Sequence, residues 1–260
     1  MNRLRRLAPL LLLLVCLAAA GPVRGADDEI PPAWHGLLQQ AAGVTDPGAR
    51  AVLLSERFLG VPYRADTLVG GPDRPEQLVV RLEAVDCFTF LDYVEALRRS
   101  TSAGEFRERL AQVRYRDGLV AWERRRHFFT DWAAAPGGRI LDVTHEIGGD
   151  RTRQALKQLN RKADGSLILP GVAVQERFIS YLPAAALDAG LLDRLRPGDY
   201  LGIYTAAAGL DVTHVGLAVR RDGRLLLRHA SSRREAGRVV DSDLAAYLAG
   251  KPGLVVLRPR

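Results

Sequence analysis

Cys87 has a sequence environment that suits nucleophilic catalysis. It opens residues 87–99, whose apolar side chains recur at the spacing of an amphipathic helix, and Asp86 stands at the N-cap position. At a helix N-terminus, unpaired backbone N–H groups and the helix dipole can lower a thiol pKa from ~8.5 into roughly 3.5–7.5 and can stabilise an oxyanion. The pattern therefore predicts either a thiolate nucleophile or a small buried residue on the apolar stripe.

Two histidines are predicted to share one face of a β-hairpin. Asp222-Gly223 is a dipeptide favoured in two-residue hairpin turns, and a turn there places Gly216 opposite His229. His214, two residues from Gly216, then lies diagonal to His229, at roughly 7–8 Å between backbones. A base and a second histidine that orients it fit the nucleophile–base–orienter arrangement of covalent hydrolases. A register slip of one residue would separate them.

Other chemistries find less support in the sequence. One cysteine and two histidines fifteen residues apart lack the paired short spacing of zinc ligands. The chain also has no Gly-rich phosphate loop, nucleophile-elbow serine or Walker motif. We therefore expect neither a metal nor another cofactor.

The elements that must position these residues change character along the chain. Helices are predicted over 33–59 around a turn at 43–48, and over 87–99, 105–113 and 151–160, with a loop at 66–78. Strands are predicted over 200–205, 212–220, 224–229 and 254–257. Helices followed by strands, without βαβ alternation, predict an α+β fold with an antiparallel sheet.

The N-terminus is predicted to be an export signal. Arginines within residues 1–6 precede a short apolar run and a small-residue region, the pattern of a secretory signal peptide. The run is shorter than the roughly 18 apolar residues of a membrane helix. We expect cleavage after Gly25, with Ala20 as the alternative, and a single domain over 26–260. Val15 before Cys16 argues against lipidation, because a lipidation site has a small residue there.

More than half of the net positive charge lies in the predicted signal peptide. The chain carries a net charge of +7, and residues 1–25 contain four arginines and no acid, so the mature chain carries +3. That charge is a weak indication of nucleic-acid binding, and export argues further against it. The mature chain keeps one cysteine, Cys87, which cannot form an internal disulfide in an oxidising compartment. We expect a periplasmic or secreted monomer without an integral membrane segment.

Taken in order, the motifs resemble the NlpC-like, papain-fold cell-wall cysteine peptidases. The closer resemblance is to the N-acetylmuramoyl-L-alanine amidase-like family once called domain of unknown function 1460, over about residues 45–258. The wider resemblance rests on Val61–Tyr63, Asp86–Phe90, Pro197–Asp199, His214–Gly216, Asp222–Gly223 and His229–Ser231, and the closer one on Pro62–Leu68, His127–Trp132 and Gly209–Gly216.

The resemblance implies a papain-like core in which a helix bearing the nucleophile packs on an antiparallel sheet bearing the histidines. It implies Cys87 as nucleophile, His214 as general base and then acid, and His229 as the orienting residue. Tyr63 matches a family tyrosine expected to assist the oxyanion or hold substrate, with Asp86 in support. Phe88 departs from the small residue that the wider superfamily usually has there.

Residues 122–132 are where we expect substrate specificity. His127 and Asp131 would share a face if the segment were helical, and Trp132 belongs to the aromatic residues around them. The pattern predicts either a pocket wall for a sugar or stem peptide, or an aromatic packing cluster with a surface ion pair. Ser231, close to His229, is a further candidate for substrate binding.

The function that the resemblance implies is hydrolysis of an amide bond in peptidoglycan or muropeptides, between the lactyl group and L-alanine. One alternative is γ-D-glutamyl-diamino acid endopeptidase activity on the stem peptide. Another is a non-catalytic cell-wall binding module with a decayed site, against which the presence of Cys87, His214 and His229 argues.

Overall fold

The computed structural model describes residues 30–260. The expected signal peptide, with its cleavage positions Gly25 and Ala20 and with Cys16, lies outside the described residues. Within the described part of the chain, no helix is both long and apolar enough to cross a membrane.

Four helices precede the main sheet. They are α1 (His35–Ala42), α2 (Pro47–Glu56), α3 (Cys87–Arg99) and α4 (Phe106–Arg114), which confirms the helices predicted in these regions. The Asp46 side chain caps α2 by accepting the Ala49 N–H, and Pro47 occupies the first helical position, where its missing N–H costs nothing. Residues 66–78, predicted as a loop, contain a small hairpin of β1 (Val69–Gly71) and β2 (Arg74–Gln77).

The main sheet has eight strands, and every pairing between them is antiparallel. Its spatial order is β4-β5-β10-β6-β7-β8-β9, with β3 pairing β10. The strands are β3 (Ile140–Asp142), β4 (Arg153–Leu159), β5 (Gln175–Pro183), β6 (Tyr200–Tyr204), β7 (Val212–Arg221), β8 (Arg224–Ala230), β9 (Val239–Asp243) and β10 (Gly253–Pro259). The mixed α+β class with an antiparallel sheet is therefore confirmed.

The helix predicted over 151–160 is wrong, because this segment forms strand β4. Its sequence is rich in residues that favour helices, such as Ala155 and Leu156. However, β4 pairs along its whole length with β5, from Arg153 opposite Tyr181 to Leu159 opposite Gln175. Pairing with a neighbouring strand outweighs the local helix propensity.

Helices cover both faces of the sheet. Buried residues of α1–α4 pack on one face, and those of the short helices α5 (Thr144–Gly148), α6 (Ala189–Leu192) and α7 (Leu244–Leu248) pack on the other. Strand β6 is buried throughout, with Tyr200 in the first cluster and Leu201 in the second. The fold therefore has three layers.

The hairpin of β7 and β8 has the predicted register. Arg221 lies opposite Arg224 and Val219 opposite Leu226, around a turn in which Asp222 and Gly223 both have positive φ. Val215, Leu217 and Val219 are buried against the α3 side of the sheet. The alternate residues of β7, which include His214, therefore point to the opposite face.

Candidate active site

Cys87 is the first residue of α3. The preceding Asp86 accepts hydrogen bonds from the backbone N–H groups of Phe88 and Thr89 at 2.9 and 2.7 Å, and Thr89 Oγ1 accepts one from the Asp86 N–H at 2.9 Å. This reciprocal capping box fixes the start of the helix and confirms the predicted N-cap. It also engages two of the first N–H groups of the helix, so the Cys87 N–H is the first-turn donor left for an oxyanion.

The expected lowering of the Cys87 pKa is not found. Cys87 keeps some exposure and forms no disulfide, yet burial of its sulfur and the charge of Asp86 raise the thiol pKa to about 11. Backbone N–H groups, with Val215 first among them, act in the opposite direction and do not compensate. The ground state at neutral pH is therefore a thiol rather than a thiolate.

The two histidines meet as the hairpin register predicts. His214 Nε2 lies 2.8 Å from His229 Nδ1, and His229 Nε2 lies 3.0 Å from Ser242 Oγ on β9. We refer to His214, His229 and Ser242 as the imidazole chain. If His214 Nδ1 is to accept a proton, its own proton sits on Nε2, which in turn places the proton of His229 on Nε2 towards Ser242.

Both imidazoles are neutral at pH 7. Burial comes first, followed by repulsion from His229 when it is protonated and from Lys251 and Arg233, and together they lower the pKa of His214 to about 3. Burial and the charge of Arg233 lower the pKa of His229 to about 4, although Asp241 acts in the opposite direction. A histidine whose pKa lies this far below neutrality is unprotonated and so available as a base, but it is a weak base because its imidazolium form is unfavourable.

Gly216 allows this arrangement because no other residue fits beneath His229. A Cβ atom at position 216 would lie 2.6 Å from a Leu227 methyl group, 2.7 Å from the Arg228 carbonyl oxygen and 3.0 Å from His229 Cβ. A side chain there would push β8 away and separate the two imidazoles.

Two tyrosines lie beside the thiol. Burial and the nearby charges of Cys87 and Asp86 raise the pKa of Tyr63, whose backbone bridges Val85 just before α3. Tyr247 of α7 packs its ring 5.8 Å from that of His214 and 5.0 Å from that of His229, and Cys87 acts on its pKa as well. Tyr247 therefore neighbours both the thiol and the imidazole chain.

The sequence did not single out Ser242 or Tyr247. Ser242 lies on β9, a strand that we did not predict, and neither residue belongs to a motif. Neither residue can be recognised from the sequence, because each approaches the histidines only through the fold. Ser242 does so by the pairing of β9 with β8, and Tyr247 by the packing of α7 beneath the histidines.

Residues 122–132 do not form the helix that would place His127 and Asp131 on one face. The segment makes two 3₁₀ turns, Trp122–Arg124 and Phe129–Asp131, and His127 Nε2 contacts the Trp122 carbonyl at 2.9 Å. Asp131 instead pairs with Arg177 of β5 at 2.8 Å and accepts the Phe128 N–H at 3.2 Å. His127 and Asp131 therefore take different hydrogen-bond partners rather than each other.

Arg177 and Asp211 clamp this segment to the sheet. Asp211 accepts hydrogen bonds from the Thr130 N–H and hydroxyl at 2.8 and 2.9 Å, and Arg177 donates to the same hydroxyl at 2.7 Å. We refer to Thr130, Asp131, Arg177 and Asp211 as the clamp. It joins two of the sequence motifs and holds the residues that lead into His214.

The other two candidates for substrate binding, Trp132 and Ser231, have buried side chains. Trp132 is 4% exposed and packs edge-on against Phe88 and Tyr200, with ring centres 5.9 and 5.2 Å away, so its ring has no open face. Ser231 is buried, and its hydroxyl oxygen accepts the Arg233 N–H at 3.4 Å. Both side chains brace the surroundings of the site.

Two cationic side chains lie against the ring of Tyr247. The Arg233 guanidinium carbon and the Lys251 Nζ lie 5.5 and 5.8 Å from the centre of its ring. These are cation–π contacts at an exposed site, which contribute about 0.5–1 kcal/mol each. Among residues 30–260, no group of three His, Cys, Asp or Glu side chains is placed to hold a metal ion.

Comparison with known proteins gives consistent matches. Residues 53–254 match the model of the AmiA-like, N-acetylmuramoyl-L-alanine amidase-like family. A crystal structure of an N-acetylmuramoyl-L-alanine amidase from Bacteroides uniformis ATCC 8492 is 30% identical, with a TM-score of 0.68, over 82% of this chain and 99% of that chain. No curated protein matches the chain.

Two further structures have the same fold. A Legionella pneumophila str. Philadelphia 1 protein assigned to domain of unknown function 1460 is 23% identical, with a TM-score of 0.70, over 85% of this chain and 92% of that chain. A Bacteroides fragilis protein described provisionally as a xylanase is 29% identical, with a TM-score of 0.64, over 78% of this chain and 98% of that chain.

Proposed function

The chain belongs to the N-acetylmuramoyl-L-alanine amidase-like family, and on that premise we propose that it is a cysteine hydrolase that cleaves the lactyl–L-alanine amide of peptidoglycan or muropeptides. The observation that carries the proposal is the hydrogen-bonded imidazole chain together with the Cys87 thiol at a helix N-terminus, where the backbone N–H of Val215, the residue after His214, bonds to the sulfur. We assign the core to the papain-like NlpC type, because the cysteine helix packs on the antiparallel sheet that bears both histidines.

Acylation begins from neutral partners. His214 Nδ1 takes the proton of the Cys87 thiol as the sulfur attacks the carbonyl carbon and the carbonyl oxygen becomes an oxyanion. The Cys87 N–H and the Tyr63 hydroxyl are the donors available to that oxyanion. His214 then gives its proton to the departing amine as the C–N bond breaks, which leaves a thioester and the free stem peptide.

Deacylation returns the enzyme to its starting state. His214 takes a proton from water, whose oxygen attacks the thioester, and the proton passes to sulfur as the C–S bond breaks. His229 acts as a positioning residue that holds the tautomer of His214, and Ser242 does the same for His229. Protons move only between Cys87, His214, the departing amine and water.

A glycosidase reaction has less support from the same site. Enzymes that hydrolyse glycosidic bonds use a pair of carboxylates on either side of the bond. The groups that we assign to the reaction are a thiol and two imidazoles, and Asp86, the carboxylate that precedes Cys87 in the chain, is engaged in capping α3.

The location that we propose is extracytoplasmic, because the substrate of a cell-wall amidase lies outside the cytoplasm. We retain residues 1–25 as the proposed signal peptide and residues 26–260 as one domain. Sequencing the N-terminus of protein recovered from the periplasm or medium tests this, and an N-terminus at Met1 would contradict it.

Product analysis tests the bond that is cut. Digestion of defined muropeptides followed by mass spectrometry should yield N-acetylmuramic acid free of peptide together with an intact stem peptide. Release of a fragment that ends in D-glutamate would instead support the endopeptidase alternative. Binding without any product would support the binding-module alternative.

A further inference from the structure

We propose that Arg233 and Lys251 form a subsite for a free carboxylate of the substrate, so that the enzyme prefers stem peptides whose second residue is D-isoglutamate over those that carry its amide. This inference rests on the proposed function and names the substrate class of the same site. It starts from the two cations that contact the ring of Tyr247.

Both cationic residues lie on turns that are fixed by hydrogen bonds of the backbone. The Arg233 N–H donates to the buried Ser231 hydroxyl, and the Arg233 carbonyl accepts the N–H groups of Ala236 and Gly237 at 3.0 and 2.7 Å. Ala249 and Gly250 separate Lys251 from the end of α7, and the Lys251 N–H donates to the Leu248 carbonyl at 2.9 Å. The side chains are exposed or partly exposed, but the turns that carry them are fixed.

Neither cation is neutralised within the described part of the chain. Among residues 30–260, Arg233 and Lys251 form no ion pair with an acidic side chain, and the charged end of each lies against the Tyr247 ring. Two uncompensated cations beside one ring form a site that a carboxylate can bridge, through the guanidinium on one side and the ammonium on the other.

The distance to the catalytic groups suits a peptide leaving group. His214 and Arg233 both contact the Tyr247 ring, from 5.8 and 5.5 Å, so their separation is at most the sum of these distances. An extended chain covers about 7 Å in two residues. The α-carboxylate of the second stem-peptide residue lies about this far from the lactyl–alanine amide, and this span is below the upper limit that the two ring contacts set.

The same cations oppose the chemical step until an anion binds. The charges of Lys251 and Arg233 help to lower the pKa of His214, which must become an imidazolium as it takes the thiol proton. A substrate carboxylate seated between them cancels that repulsion. The carboxylate should therefore raise kcat as well as lower KM, since its effect is larger in the transition state than in the ground state.

The experiment compares two substrates that differ only at this group. N-acetylmuramoyl-L-alanyl-D-isoglutamyl-L-lysine and its D-isoglutaminyl counterpart are turned over by the mature enzyme and by R233Q, K251Q and the double variant. The expected result is a preference of about tenfold in kcat/KM for the carboxylate, part of it in kcat, which falls to about unity in the double variant. The preference should also fall with added salt.

Arg234→Gln is the matched control, because Arg234 lies on the same exposed turn and does not contact Tyr247. This variant should keep the preference of the wild type. The inference is overturned if the wild type turns over both substrates equally. It is also overturned if R233Q and K251Q change the rates on both substrates by the same factor, because the cations would then not distinguish the carboxylate from its amide.

Binding separates this inference from the proposed function. The affinity of C87A for both peptides is measured by calorimetry. A carboxylate preference that depends on Arg233 and Lys251, in an enzyme that cleaves neither peptide, would support the subsite and refute the hydrolase. Cleavage of both peptides without any preference in rate or affinity would support the hydrolase and refute the subsite.

Discussion

The clamp and the imidazole chain both lie near the start of β7, and their buried polar groups are stabilised in opposite ways. The clamp contains charged side chains that are hydrogen-bonded to other side chains: Arg177, for example, donates to both Asp131 and Thr130. The imidazole chain is built from neutral groups. The charges of Arg233 and Lys251 oppose its protonation, and only at His229 does a carboxylate, Asp241, act in the opposite direction. Fixed charges hold a segment in place, whereas a neutral chain can gain and lose a proton at little structural cost.

This difference assigns stability to one network and reactivity to the other. Breaking a buried ion pair leaves an uncompensated charge and destabilises the fold. Replacing a member of a neutral chain removes one hydrogen bond of modest net energy. Substitutions in the clamp should therefore affect unfolding first, and substitutions in the imidazole chain should affect turnover first.

The largest expected effect is on turnover in H214A. Without a base, the Cys87 thiol stays protonated at neutral pH, so kcat/KM for muropeptides should fall by about 10³-fold or more. The melting temperature should stay within a few degrees of the wild type. A matching loss of stability and activity would remove the distinction between the two networks.

In R177L the effect should appear in stability. Asp131, which is 7% exposed, would be left without its cation, and we expect a loss of about 3 kcal/mol in the free energy of unfolding by urea. R151L is the control, because the Arg151–Asp188 pair is exposed and should contribute less than about 1 kcal/mol. Equal losses in the two variants would contradict the account of the clamp.

His229 should affect the rate through the orientation of His214. Replacement by alanine should lower kcat by about 10–100-fold with little change in KM, because His229 does not touch substrate. H229N retains a side chain that can accept the His214 N–H, and it should recover part of the rate. A change confined to KM would instead place His229 in substrate binding.

Ser242 should have a smaller effect of the same kind. Its hydroxyl is the last acceptor of the chain, and S242A removes one hydrogen bond of about 1 kcal/mol, which corresponds to a fall of about fivefold in kcat. S180A is the control, because Ser180 is a hydroxyl residue of β5 whose side chain accepts a bond from Gln154. A larger loss in S180A than in S242A would exclude this role.

The smallest expected change is in the pH profile. A lowered His214 pKa keeps the base unprotonated to acid pH, and a raised Cys87 pKa keeps the thiol protonated to alkaline pH. The profile of kcat/KM should therefore be flat within about twofold from pH 6 to 9, with its acid limb below pH 5. An acid limb near pH 6.5 would mean that the imidazole chain is no more buried than an ordinary histidine.

The β7–β8 hairpin and helix α3 could be predicted because their signals are local. The Asp222-Gly223 turn sets the register of β7 and β8, and Asp86 sets the start of α3. The structure agrees with both, including the meeting of His214 and His229. These parts of the fold depend on a few residues that are close in sequence.

The rest depends on contacts distant in sequence. Strand β4 has helix-favouring residues and becomes a strand only by pairing with β5. Asp131 takes Arg177 as its partner across forty-six positions, and the sequence pattern suggested His127 instead. The raised pKa of Cys87 arises from burial, which the helix N-terminus alone does not reveal.

The most direct test of the account is to trap the acyl-enzyme. Wild-type enzyme is mixed with an N-acetylmuramoyl tripeptide, quenched in acid and analysed by intact-protein and peptide mass spectrometry. We predict a mass increase equal to the N-acetylmuramoyl group, located on Cys87 and absent from C87A. Turnover by C87A, or an adduct on another residue, would contradict the cysteine mechanism, and an adduct that contains alanine and glutamate would contradict the bond assigned here.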